Sequence, residues 1–205
     1  MKLLFLFFAA MLIASPAAAG NLTVSVRDAA GRPIKDAVVT AYPASGLPRA
    51  PIRFSWPLQV AQRDTQFQPY VLIAPVGGAV AFPNLDRVRH HVYSFSRGNR
   101  FEIELFGRDQ TRSHTFTTAG VVAIGCNIHD QMLAYIKVVD TPWAAKTGAS
   151  GDVVLSGLPA GAATLRVWHP QLSVRGNEQS QAVTMGAAST RATVTGTYAA
   201  GAAGH

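Results

Sequence analysis

The sequence predicts an all-β protein built as a sandwich or barrel. Three observations carry this. Many short segments alternate apolar and polar residues with period two, Gly and Pro clusters separate them, and no window keeps a helical period over three turns. With 18 Gly and 12 Pro in 205 residues the chain is turn-rich but has no collagen-like repeat, and its 48% hydrophobic content argues against general disorder.

In chain order, Met1-Lys2 precedes an apolar run, Leu3 to Ile13, and then Ala17-Ala18-Ala19. This is the charged, apolar and small-residue pattern of a secretory signal peptide, and the run is about half the length needed to span a bilayer. Residues 1–19 are therefore read as a signal peptide cleaved after Ala19. The mature chain is expected in a periplasm, without a membrane anchor. Leu22–Val26 and Val38–Tyr42 read as strands around the turn chemistry of Asp28 to Pro33. Residues 43–57 hold four prolines and read as a long loop. Strands are expected at Leu58–Ala61, Pro69–Ala74, Ala79–Phe82, His90–Phe95, Phe101–Phe106, Ser113–Phe116, Val121–Ile124 and Leu133–Val139. After Thr141-Pro142 come Val153–Leu155, Thr164–Trp168, Gln181–Met185 and Arg191–Tyr198, with Gly-Leu-Pro-Ala-Gly (157–161) read as a turn. The Gly/Ala tail 199–205 is expected to fray.

The formal charge is +7, and removal of Lys2 leaves 17 bases against 11 acids, or +6. In an exported protein this suits solubility and docking to an acidic partner, and a nucleic-acid role is not expected. The single cysteine excludes an intrachain disulfide and any zinc site needing two thiolates.

That cysteine lies in the informative stretch, Cys126-Asn127-Ile128-His129-Asp130-Gln131-Met132, which reads Cys-x2-His-x2-Met. Upstream stands Asn84-Leu85-Asp86-Arg87-Val88-Arg89-His90-His91. One thiolate, two imidazoles and a thioether form a soft donor set, and two His and one Cys with a weak axial Met is the blue-copper arrangement. His129 and Met132 fall on a short loop after the Cys strand, while a distant strand supplies His90 or His91. Adjacent strand residues face opposite sides, so only one of the pair can reach the ion.

These residues resemble the plastocyanin-like cupredoxins over about Pro57 to Asp140, and the Cys-x2-His-x2-Met spacing is that of amicyanin. The whole chain also looks like the exported cupredoxin-like proteins labelled methylamine utilisation proteins, through its Cys-Asn-Ile-His-Asp and Thr-Pro-Trp stretches. The resemblance implies His90, Cys126 and His129 as equatorial ligands, Met132 as axial ligand, and Asn84 as a support of the Cys loop. It favours His90 over His91, although amicyanin and plastocyanin have Asn where His91 stands.

The flanks resemble a carboxypeptidase-regulatory-like (transthyretin-type) sandwich, through Val24-x-Val26-x-Asp28-x2-Gly31-x-Pro33 and Gly151-x-Val153-x-Leu155-x2-Leu158-Pro159-Ala160-Gly161. The expected architecture is a Greek-key cupredoxin sandwich, residues 57–140, inserted in or packed on a second small β-sandwich formed by 20–56 plus 141–198.

The expected function is single-electron transport by one copper per chain, cycling between Cu(I) and Cu(II). The expected partner is a periplasmic redox protein such as a cytochrome or dehydrogenase. No catalysis is expected, since the His-x-His pairs of multicopper sites are missing. Copper storage, sensing or delivery is the alternative. His169 reads as a structural strand-end residue beside Trp168, His114 as a surface strand residue, Asp130 as either a solvated carboxylate or a partner of a ligand ring, and Ile128 and Leu133 as an apolar collar around His129.

Overall fold

The computed structural model describes residues 19–199. The segment expected as a signal peptide therefore lies outside the described residues except for Ala19, as does the tail beyond Ala199. The strands in chain order are β1 (Ala19–Asp28), β2 (Val38–Pro43), β3 (Ala61–Arg63), β4 (Gln66–Gln68), β5 (Val71–Pro75), β6 (Gly78–Pro83), β7 (His90–Ser94) and β8 (Phe101–Phe106). They continue as β9 (Thr111–Phe116), β10 (Gly120–Gly125), β11 (Leu133–Val139), β12 (Ala144–Lys146), β13 (Asp152–Pro159), β14 (Gly161–Trp168), β15 (Glu178–Met185) and β16 (Ser189–Gly196). No helix among the described residues is long and apolar enough to cross a membrane. The fold is all-β, as the period-two alternation predicts.

Two sheets draw on both ends of the chain. One runs β13-β1-β16 and the other β12-β2-β14-β15. Leu22, Val24 and Val26 of β1 are fully buried between them, against Val39, Leu165 and Val167. Apolar burial of this kind contributes roughly 25 cal/mol per Å². The central strands form a five-stranded sheet, β5-β11-β10-β7-β8, and the ribbons β6–β9 and β3–β4. Val80, Phe82 and Phe116 of the β6–β9 ribbon pack on Val92, Phe106, Val122, Ile124 and Ile136 of that sheet.

The two cores meet along a seam of Val38, Val71, Ile73, Val139, Ala144 and Trp168. Polar contacts reinforce it. The Lys137 ammonium pairs with Glu178 and lies 5.8 Å from the Trp168 ring centre. The Tyr42 hydroxyl donates to Asp140 at 2.8 Å. Lys146 donates to the Val71 carbonyl at 2.9 Å and pairs with Asp36.

Three local expectations need correction. The segment expected as a strand at 58–61 makes one single bridge, Gln59 to Ala81, and only its last residue, Ala61, enters the short β3. Its apolar side chains are instead spent on the core, where Val60 is fully buried. Gly-Leu-Pro-Ala-Gly (157–161) is mostly strand. Leu158 is fully buried, and Gly157, at φ +72°, sits where the β1–β13 register slips between Gly20 and Leu22. Finally, β4 and β12 were not expected, because three residues are too short to show a period.

Candidate metal centre

Two loops build the site. The first joins β6 to β7. Asn84 is fully buried, and its side-chain NH2 donates to the carbonyls of Val88 at 2.9 Å and Phe106 at 3.0 Å. Its side-chain oxygen accepts the Asp86 amide at 2.9 Å. Asn84 thus pins its own loop to β8, whereas the resemblance had it supporting the Cys loop.

His90 opens β7 and is fully buried. Its Nε2 meets the Asp86 carboxylate at 2.7 Å, and its Nδ1 lies 4.0 Å from Cys126 Sγ. Asp86 also accepts the amides of Asp64 at 2.7 Å and Thr65 at 3.0 Å. Burial pushes the Asp86 carboxyl up, but the Thr65 amide, the His90 ring and the Asp64 amide outweigh it and hold it below its ordinary value.

The second loop joins β10 to β11. Cys126 follows the last residue of β10 and is 3% exposed. Gly125 before it leaves room for the Tyr93 ring, which would stand 3.0 Å from a Cβ there. His129 Nδ1 lies 3.6 Å from Cys126 Sγ, and the His90 and His129 rings are 5.0 Å apart. The donor atoms of His90, Cys126 and His129 all lie within 4.8 Å of one another, and this is the one such cluster of His, Cys, Asp and Glu found among the described residues. A tight turn, Met132 N–H to the His129 carbonyl at 2.9 Å, brings Met132 back into the same core as Cys126, where it is 2% exposed.

His91 points elsewhere, as strand alternation requires. Its Nε2 contacts Glu102 at 2.8 Å, and its buried Nδ1 has no partner. Of the adjacent histidines, the structure brings His90 to Cys126. Asp130 is exposed and makes none of the site's hydrogen bonds. His169 is buried in the flanking part, with its Nδ1 accepting the Gln171 amide. His114, expected at the surface, instead stacks on Phe101 at 4.3 Å, and burial pushes its pKa down.

The arrangement fits a soft metal ion. Three side chains converge on one point, with Nδ1 turned inward on both imidazoles, and sulfur with imidazole is a donor set that suits copper or zinc. Residue spacing predicted Cys126 and His129 on one loop, and the resemblance selected His90 over His91. Neither assigned a role to Asp86, although Asp86-x3-His90 was a readable signal.

No protein-family model matches the sequence, and no curated protein does. Solved structures do show partial similarity. A copper-containing nitrite reductase from Thermus scotoductus SA-01 is 27% identical over 45% of this chain and 24% of its own, with a TM-score of 0.39. The chain thus spans about a quarter of that enzyme's length. A purple cupredoxin from Nitrosopumilus maritimus is 22% identical over 40% of this chain and 98% of its own, with a TM-score of 0.37. A reduced single-residue variant of amicyanin is 20% identical over 51% of this chain and 99% of its own, with a TM-score of 0.38. The case for a metal rests on the side chains themselves.

Proposed function

We propose that this chain is a type 1 copper protein that holds one ion with His90, Cys126, His129 and Met132 and carries single electrons between periplasmic redox partners. The observation that supports it is the convergence of two imidazole Nδ1 atoms on the only thiol of the chain, all within 4.8 Å. Copper supplies the reversible one-electron step.

The protein residues do the rest. Burial of His90, Cys126 and Met132 keeps water off the donors. Asp86 and Asn84 hold one side of the site in place, and the tight His129–Met132 turn holds the other. Leu85 and Val88 on the first loop are 39% and 47% exposed, and Ile128 and Leu133 on the second are 49% and 45% exposed. Together they form an apolar rim where a partner can approach His129. Arg87 and Arg89 next to that rim favour an acidic partner surface. The flanking sandwich and the central copper-binding sandwich act as separate units joined at the seam, and residues 1–19 direct export.

The test is the visible and paramagnetic-resonance spectrum of copper-loaded protein. The wild type is expected to show an intense thiolate-to-copper band, and Cys126→Ser to lose it entirely. A band that survives the substitution overturns the ligand assignment. Stopped-flow mixing with a small-molecule reductant then separates carrying from storage: copper that stays bound and never cycles would make the protein a store.

A further inference from the structure

Asp86 touches none of the three convergent donors except through His90, yet four polar contacts are spent on it. Its carboxylate accepts the amides of Asp64 and Thr65 across 22 and 21 residues of sequence, its own amide is held by Asn84, and it faces His90 Nε2 at 2.7 Å. Asp64 and Thr65 form the turn between β3 and β4 and both adopt φ +55°, a left-handed conformation that costs free energy in residues other than glycine. That conformation aims two consecutive amides at one carboxylate.

We propose that Asp86 is a positioning residue and that the β3–β4 turn is its clamp. Together they fix the tautomer and orientation of His90, so that the Nδ1 lone pair faces Cys126. The proposal rests on the copper reading above and extends it to a residue outside the ligand set. The chemistry is direct. An ionised carboxylate only accepts hydrogen bonds, so the proton of a neutral His90 ring must sit on Nε2, which leaves Nδ1 as the acceptor or metal donor. The two turn amides fill other acceptor directions of the carboxylate, so Asp86 cannot swing away without breaking them. The side chain is only 13% exposed, so solvent competes weakly. A full negative charge one ring away from the ion makes His90 a stronger donor and favours Cu(II) over Cu(I).

The test has two arms. In wild-type protein loaded with Cu(I), which is diamagnetic, nuclear magnetic resonance is expected to show a His90 Nε2 proton protected from solvent exchange. Asp86→Asn keeps the size of the side chain and removes its charge. It presents an NH2 group either to the turn amides or to His90, so one of those contacts becomes donor against donor. This variant is expected to keep the Cys126-dependent band, to bind Cu(II) about 10–100-fold more weakly, and to raise the Cu(I)/Cu(II) ratio at a fixed potential about tenfold, equivalent to ~59 mV. An unshifted potential and affinity in Asp86→Asn, or a freely exchanging Nε2 proton in the wild type, overturns the clamp alone. A wild type without the thiolate band overturns the copper reading and the clamp's role together. Should the variant fail to fold, the wild-type proton decides.

Discussion

The two cores of this protein are built from different stock. The flanking core is aliphatic. Leu22, Val24, Val26, Val39, Leu165 and Val167 line it, and it contains no phenylalanine. The central core holds Phe67, Phe82, Phe101, Phe106 and Phe116 beside Cys126 and Met132. Both parts bury polar side chains, Thr141, Thr147 and His169 in the flanking part and Asn84 and His90 in the central one, but only the central ones gather beside Cys126. Alternating aliphatics suffice to glue two sheets. A site that must hold imidazoles and a thiol at fixed separations needs rigid rings behind it and a hydrogen-bonded loop in front. The difference separates a part made for cohesion from a part made for placement.

The sharpest way to break this comparison is to cut an equivalent hole in each core. Phe82→Ala is expected to cost about 3–5 kcal/mol and Leu165→Ala about 2–5 kcal/mol in denaturant unfolding. Only Phe82→Ala should also broaden or weaken the thiolate band of the copper-loaded protein. An equal spectral change in Leu165→Ala would mean that the flanking core tunes the site as directly as the central one.

The seam gives a smaller effect. Lys137→Met leaves the Glu178 carboxylate partly buried without its partner. The Lys137 side chain is 12% exposed and that of Glu178 26%, so the cost is expected at about 1–3 kcal/mol, between the surface and the fully buried limits. Two-probe unfolding is the measurement, with the band reporting the central sheets and tryptophan fluorescence reporting Trp56 and Trp168 at the seam and Trp143 on the flanking core. The two transitions should separate in the variant. If they stay superimposed, the apolar seam alone couples the two parts.

The smallest effect is a pH response carried by partly buried tyrosines; Tyr70 and Tyr135 are raised by burial, and Tyr42 and Tyr198 are raised furthest. Burial pushes Tyr42 up to about 12, with its bond to Asp140 adding to the shift, and burial with the nearby Asp28 charge also raises Tyr198 to about 12. An ordinary tyrosine loses its proton near pH ~10. Above that pH the unfolded chain releases protons that the folded chain still holds, so folding is increasingly opposed between about pH 10 and about pH 12. Melting followed by tryptophan fluorescence across that window should show a falling midpoint, and Tyr42→Phe should flatten part of the slope. An unchanged slope in that variant would remove Tyr42 from the account.

Legibility in the sequence followed the reach of each interaction. β1 was readable because Leu22, Val24 and Val26 alternate on one buried face. Cys126, His129 and Met132 were readable because one short loop carries all three. The choice between His90 and His91 could not be read from strand alternation, and only the resemblance favoured His90. Both are buried on β7, and which face meets Cys126 depends on how β7 pairs with β10 and β8. The Asp86 clamp was invisible because its amides come from a turn some 21 residues upstream. Leu158 was misread because turn-like neighbours hid a core residue behind a register slip.

β11 gives the fold a mechanical consequence. It is a beam of seven residues whose first, Leu133, directly follows Met132, and whose last, Val139, is wedged in the seam beside Trp168. Lys137 bolts its middle to β15 through Glu178. The strand that the flanking part grips through Lys137 and Val139 is thus the one that begins one residue after Met132.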